Sequence, residues 1–429
     1  MTAEIAIMNR HAVVLAADSA TTVTSWKDGI QEKRYFKGAN KLFELSRHAP
    51  VGLMIYGSAG LQGVPWELAV KTFRDGLGDK KHDTLSGYAT EFFDYIHRED
   101  KLFTVEQKKL SLTNLIGAAA GRLQDRILYN FGAETVDELA TVPLARFAEV
   151  MNTVAADIDS QNMPDLIQDA DIAAAIANNA AEFANAVVEM LPIFKQSPER
   201  SQLAQFFAET LIKLAIKEFC YYADRTGVVI AGYGNDDYFP VLEVYECYGF
   251  LGERLIYSRK DDLSRVMDSS AAAVIQPFAT TSMIDTFRFG VAEDVFGAVF
   301  NSTLEVLPEF AKQVMEEAGA PGAVPEARLL ELAEIARKQH TDRWFKQTRD
   351  QHFSPLSNVI HSLPLPDMAG LAKSLIELES LKERVTKPSE SVSGPIDVAV
   401  ISKHDGFVWI DRKHYFKAEL NPRFMKRMG

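Results

Sequence analysis

The chain reads as an α+β fold in which two stacked, mainly antiparallel sheets are flanked by helices. Three observations predict it. Strand-like and helix-like segments come in blocks, in the order strands, helices, strands, helices, strands. The strand runs are nearly continuously apolar, as strands covered on both faces should be. No Pro/Gly/Ser-rich linker, low-complexity tract or short repeat divides the 429 residues. One layered domain over 1–429 with helical elaborations is therefore expected, rather than a string of separate domains.

Core strands are expected at about 1–60, 226–280 and 395–412, with helical elaborations at about 65–225 and 282–385. Ile5–Met8 and Ala12–Ala17 flank the polar tripeptide Asn9-Arg10-His11, a hairpin signal. Lys41–Leu45 and Val51–Tyr56 follow, the latter ended by Gly57-Ser58-Ala59-Gly60. From Pro65 the period changes. Trp66, Ala69, Val70, Phe73 and Leu77 recur at helical spacing, and Pro65 suits a first turn. Helical patterns run on to about Asp224. Strands return at Val228–Ala231, Val241–Tyr245, Arg254–Ser258 and Ala272–Phe278. A second helical block spans Ser282–Glu383, with a break near Gly319-Ala320-Pro321-Gly322. Ile396–Ser402 and Phe407–Ile410 close the chain, joined by Lys403-His404-Asp405-Gly406, whose Asp-Gly is a hairpin cue. Phe287, Phe289, Trp344 and Phe345 are expected in the core, and Cys220 and Cys247 as buried thiols.

Composition narrows the function classes. With 47% hydrophobic and 24% charged residues the chain can bury a large core. A formal charge of −13 repels phosphate backbones, so nucleic-acid binding is not expected. Two cysteines without C-x-x-C spacing exclude a disulfide framework and a cysteine-rich zinc site, and fit a reducing cytosol. The start, Met1-Thr2-Ala3-Glu4-Ile5, has no secretory signal. The longest apolar-looking segment, Ile172–Phe194, is interrupted by Asn178, Asn179, Glu182, Asn185, Glu189 and Pro192, too polar to span a bilayer. A cytoplasmic enzyme or assembly subunit, without membrane contact, is expected. Gly232-Tyr233-Gly234 lacks the rest of a dinucleotide fingerprint, and Gly57-Ser58-Ala59-Gly60 is not a nucleophile elbow. The nine histidines, His340, His352 and His361 among them, show no metal-site spacing. No cofactor or metal is expected.

The segment Thr2–Asp18 resembles the start of a mature proteasome β-subunit or its HslV-like relatives among the N-terminal-nucleophile (Ntn) hydrolases. There a threonine opens the first strand and the second strand ends in Asp-Ser. Here Thr2-Ala3-Glu4-Ile5-Ala6-Ile7 leads, without a gap in spacing, to Ala12-Val13-Val14-Leu15-Ala16-Ala17-Asp18-Ser19. Lys41–Leu45 looks like the strand carrying the family's catalytic lysine. Met54–Ala59 looks like the strand end whose glycine N–H forms the oxyanion hole. Ser393–Val400 with Asp405-Gly406 looks like its late Ser-Gly-strand-turn element. The resemblance covers roughly 1–75, 226–290 and 390–412, and both helical blocks exceed the family's usual helix pairs. It implies a four-layer αββα sandwich, a threonine peptidase acting on peptides or other amides, a homo-oligomer, and an unfoldase partner that the sequence does not identify.

By that resemblance Thr2 is the nucleophile once Met1 is removed. A threonine hydroxyl needs an adjacent base. An N-terminal residue supplies one in its α-amine, with a pKa of roughly 7.7–8. A neighbouring Lys41 ammonium lowers that value by like-charge repulsion. Asp18 is expected to hold Lys41, and the Gly57 N–H to face the developing oxyanion. Glu390 stands where the family has a supporting aspartate, three residues before Ser393, and Thr280 is the choice for its other supporting hydroxyl. Bland readings stand beside these: Asp18 as a turn cap, and Thr281 or Ser282 as a helix N-cap. Two further functional readings fit the same residues. One is an Ntn amidohydrolase of a small amide, and the other a catalytically silent scaffold or binding subunit.

Overall fold

The computed structural model describes residues 2–27, 30–190, 193, 200–269, 273–387, 392–423 and 426. The opening apolar runs form β1 (Ala3–Met8) and β2 (Ala12–Ala17), with every residue buried. Asn9 closes the turn between them: its side-chain oxygen accepts from the N–H groups of His11 and Ala12, the local bond that suits asparagine to turns. Next come β3 (Thr21–Lys27) and β4 (Ile30–Phe36), which pair with each other as a separate hairpin. That hairpin takes up most of the chain between Asp18 and Lys41. β5 (Leu42–Glu44), β6 (Val51–Gly57) and the short β7 (Gly60–Leu61) and β8 (Val64–Pro65) complete the first block.

The helical block holds α1 (Trp66–Leu77), α2 (Leu85–Arg98), α3 (Val105–Phe131), α4 (Leu144–Ser160), α5 (Asp169–Met190), α6 (Arg200–Lys217) and α7 (Phe219–Tyr222). Thr104 starts α3 with a capping box, exchanging hydrogen bonds with Gln107. Then follow β9 (Thr226–Gly232), β10 (Val241–Leu251), β11 (Arg254–Arg259), β12 (Arg265–Val266) and β13 (Val274–Ala279). The second helical block is α8 (Ser282–Phe289), α9 (Glu293–Glu317), α10 (Glu326–Thr348), α11 (Ser354–His361) and α12 (Leu365–Thr386). The hairpin β14 (Asp397–Ser402) and β15 (Gly406–Asp411) ends the strand set.

The strands form two main antiparallel sheets. One has the order β13-β1-β2-β14-β15; the other runs β11-β10-β9-β6-β5, with β12 beside β10. Period-two alternation decides what each face meets. On β1, Ala3, Ile5 and Ile7 share a core with Met368, Ala372 and Leu375 of α12. Ala6 and Met8, with Val13 and Leu15 of β2, instead meet Met54, Val229, Ala231 and Val244 of the second sheet. The far face of the second sheet, through Leu53, Ile55 and Val228, packs on Trp66 and Phe73 of α1 and Phe92 of α2. The sheets are thus face to face, with helices on both outer faces. Each large apolar side chain buried here contributes about 1.5–3 kcal/mol. Gly52 is required where the sheets approach: a Cβ there would lie 2.7 Å from Ile401 Cδ1 and 2.8 Å from the Phe407 ring.

Helices α3–α6 have a core of their own, built on residues such as Ile116, Met151 and Ile212, which touches the second sheet at Tyr248, Leu251 and Ile256. Three expectations are corrected. Cys220 is exposed on α7 and only Cys247 is buried. Phe287 and Phe345 are 41% and 50% exposed, because α8–α10 form an outer layer with one face uncovered.

Candidate active site

Thr2 immediately precedes β1, an interior strand held between β13 and β2. The alternation that sends Ala6 and Met8 between the sheets also sends Thr2 and Glu4 that way. Both are buried, Thr2 at 6% and Glu4 at 0% exposure.

Asp18, just past β2, gathers the segments around Thr2. Its Oδ1 accepts from Ala3 N at 3.1 Å and from Lys41 Nζ at 2.5 Å. Its Oδ2 accepts from Ala20 N at 3.1 Å and Ser393 N at 3.0 Å. It therefore caps the local turn and binds the lysine at once. Lys41 is anchored through its own carbonyl, which accepts from Ile55 N of β6 at 2.9 Å. Ser393 also receives the Ser19 N–H on its carbonyl at 3.3 Å.

Thr280 arrives from β13. Its N–H donates to the Thr2 carbonyl at 2.9 Å, and its Oγ1 is buried without a hydrogen-bond partner among the described residues. Ala279, just before it, has φ of 57°, a left-handed conformation that costs an alanine about 1–2 kcal/mol. That kink turns the end of β13 towards Thr2. Thr281 takes the N-cap position of α8, and its hydroxyl bonds Asp285. Gly57 ends β6 with φ of 84° and pairs with Thr226. Of the expected residues, then, Thr2, Asp18, Lys41, Thr280 and Ser393 are joined by direct contacts or through Glu4 and Ala3. Gly57 lies two residues beyond the Lys41 anchor, and Glu390 falls outside the described residues.

Glu4 was not anticipated. Thr2 Oγ1 donates to Glu4 Oε2 at 3.1 Å. Lys41 Nζ stands 3.1 Å from the other oxygen, Oε1, in an ion-pair contact. The carboxylate thus lies between the threonine hydroxyl and the ammonium, which Asp18 holds on its other side. Phe278 is the Glu4 partner across β13 and stacks on Tyr56 at 5.1 Å, walling the site. A signal was present in the sequence: Glu4 is two residues from Thr2 and so shares its face of an otherwise apolar strand.

Complete burial pushes the Glu4 carboxyl up to about 7; the Lys41 ammonium opposes that rise and Asp18 adds to it. The Tyr56 hydroxyl is pushed up to about 12, first by burial and then by the carboxylates of Glu246 and Glu4. Among the described residues no cluster of three or more His, Cys, Asp or Glu side chains is disposed to hold a metal ion. Nor is any helix among them long and apolar enough to cross a membrane. No family model matches this chain, and no curated protein matches it.

The Glu4 environment makes a stability prediction. Its folded pKa, about 7, exceeds the ordinary 4.5, so the folded state holds the proton longer. Below pH 4.5 both states are protonated and nothing is lost. Between 4.5 and 7 the unfolded chain ionises first, and stability falls as pH rises, by roughly 3 kcal/mol in all. Glu4→Gln lacks this group. Its stability relative to wild type is expected to improve from pH 5 to about pH 7 and then to level off by pH 8 in urea denaturation. A constant difference across that range would refute the assignment.

Proposed function

We propose that this chain is a threonine-dependent amide hydrolase built on the αββα sandwich of the proteasome-like Ntn hydrolases, with Thr2 as nucleophile after Met1 is removed. The observation that supports it best is convergence: Asp18, Lys41, Thr280 and Ser393, from four distant segments, meet around the threonine that opens an interior strand. The layering of helices outside two face-to-face antiparallel sheets agrees with that class.

In the reaction, Thr2 Oγ1 attacks an amide carbonyl and its proton passes to a base, for which the free α-amine is one candidate. The Gly57 N–H serves the oxyanion. The amine product leaves with the proton, and water hydrolyses the threonyl ester. A peptide is the first substrate class, a small amide the second, and self-association into a homo-oligomer completes the proposal, with an ATP-driven unfoldase as a further partner to be sought.

A silent scaffold is the second reading, and one observation favours it: Thr2 is nearly closed off and its hydroxyl is already engaged by Glu4. Intact mass separates the two. On the hydrolase reading the purified protein lacks Met1, and a β-lactone probe adds its mass to the peptide that begins at Thr2. A chain that keeps Met1 and takes no label supports the scaffold.

A further inference from the structure

Granted Thr2 as the nucleophile, the structure assigns Glu4 as the catalytic residue that takes the proton from the Thr2 hydroxyl during attack. The assignment rests on the hydrolase reading and adds to it a base that comes from inside the chain and does not depend on a free N-terminus.

Three observations carry it. First, the hydroxyl already points at Glu4 Oε2, 3.1 Å away, within the reach that proton transfer needs. Second, the backbone that carries the carboxylate is fixed: Glu4 is on an interior strand, paired with Ala17 on β2 and with Phe278 on β13. Third, the charge balance suits the step. The groups facing Glu4 are the Lys41 ammonium, the Asp18 carboxylate, the Tyr56 phenol and the Thr2 hydroxyl. With Glu4 ionised, the trio Glu4, Lys41 and Asp18 carries one net negative charge. Attack moves that charge to the oxyanion and leaves Lys41 and Asp18 as a neutral pair. No new charge is created in a buried site, where new charge is most costly.

The step balances. The Thr2 Oγ–H bond breaks, its proton goes to Glu4 Oε2, and an Oγ–C bond forms to the substrate carbonyl. Collapse breaks the C–N bond, and the leaving nitrogen takes the proton from Glu4. Water then attacks the ester, giving its proton to Glu4, which returns it to Thr2 Oγ as the acid departs. Burial supports the role, since it places the carboxyl near 7, where a base is both ionised and still basic at neutral pH.

The test is the rate at which a β-lactone acylates Thr2, followed by intact mass from pH 5 to pH 9. A lactone reports on the hydroxyl and does not need the α-amine. Wild type is expected to acylate with a rate that rises through about pH 7 and then levels. Glu4→Gln keeps the size and an acceptor oxygen but cannot hold the proton; its rate should fall about 100-fold or more and lose the rise. Glu4→Asp should recover part of the rate, with the midpoint of the profile displaced. If Glu4→Gln acylates as fast as wild type with the same profile, the Glu4 role is overturned and the hydrolase reading stands. An unmoved midpoint in Glu4→Asp overturns it equally, and that result needs no folded glutamine variant. A wild type that the lactone leaves untouched at every pH overturns both.

Discussion

Thr2→Ala is expected to abolish turnover of a fluorogenic peptide amide while the protein stays folded. On the proposed hydrolase reading the substitution removes the attacking oxygen, and loss of a nucleophile costs roughly 10⁴-fold or more in turnover. The structural cost is smaller. Thr2 gives Glu4 Oε2 its hydrogen bond, and an acceptor left unpaired in a buried site costs about 1–3 kcal/mol. That is less than the 5–15 kcal/mol that holds a typical domain together. Thr2→Ser keeps both hydroxyl and amine and should retain measurable activity. Turnover by Thr2→Ala at the wild-type rate would remove Thr2 from the chemistry altogether.

Lys41→Met should do more harm to the fold than any other single change at the site. Lys41 is 4% exposed, and its ammonium stands between the carboxylates of Asp18 and Glu4, which are 1% and 0% exposed. Without the cation the two acids face each other out of water. Removing one partner of a buried ion pair costs about 3–5 kcal/mol, and activity should be lost with it. The double variant Lys41→Met with Glu4→Gln is expected to regain part of the stability, because glutamine removes the cost of holding that acid protonated in the fold while the unfolded chain ionises it. The two effects should therefore be non-additive, as for groups in one network. Urea denaturation at pH 7 measures both. A Lys41→Met protein within about 1 kcal/mol of wild type would mean the buried charges are compensated by something other than this lysine.

Much of the fold was legible from local pattern. The apolar runs at Ile5–Met8 and Ala12–Ala17, with Asn9 between them, could only form a buried hairpin, and they do. The helical spacing from Trp66 to Leu77 is α1. Thr2, Asp18, Lys41, Thr280 and Ser393 were all named through the resemblance to the proteasome-like hydrolases. The β3–β4 hairpin was missed, because Thr21–Lys27 and Ile30–Phe36 mix polar and apolar residues and contain no continuous apolar run. The exposed Phe287 and Phe345 were misplaced, since apolarity alone does not say whether a layer lies above.

What the sequence determined by itself is the alternation: which residues of β1 share a face, and hence that Thr2 and Glu4 travel together. Tertiary structure alone decided what that face meets. The Asp18–Ser393 bond spans 375 positions, and the Thr280 N–H reaches Thr2 only because β13 pairs with β1. A strand's period is dictated by its own backbone, so it can be read from neighbouring residues. The charge state of Glu4 depends on burial between two sheets and on an ammonium from a third segment, and those are properties of the packed chain.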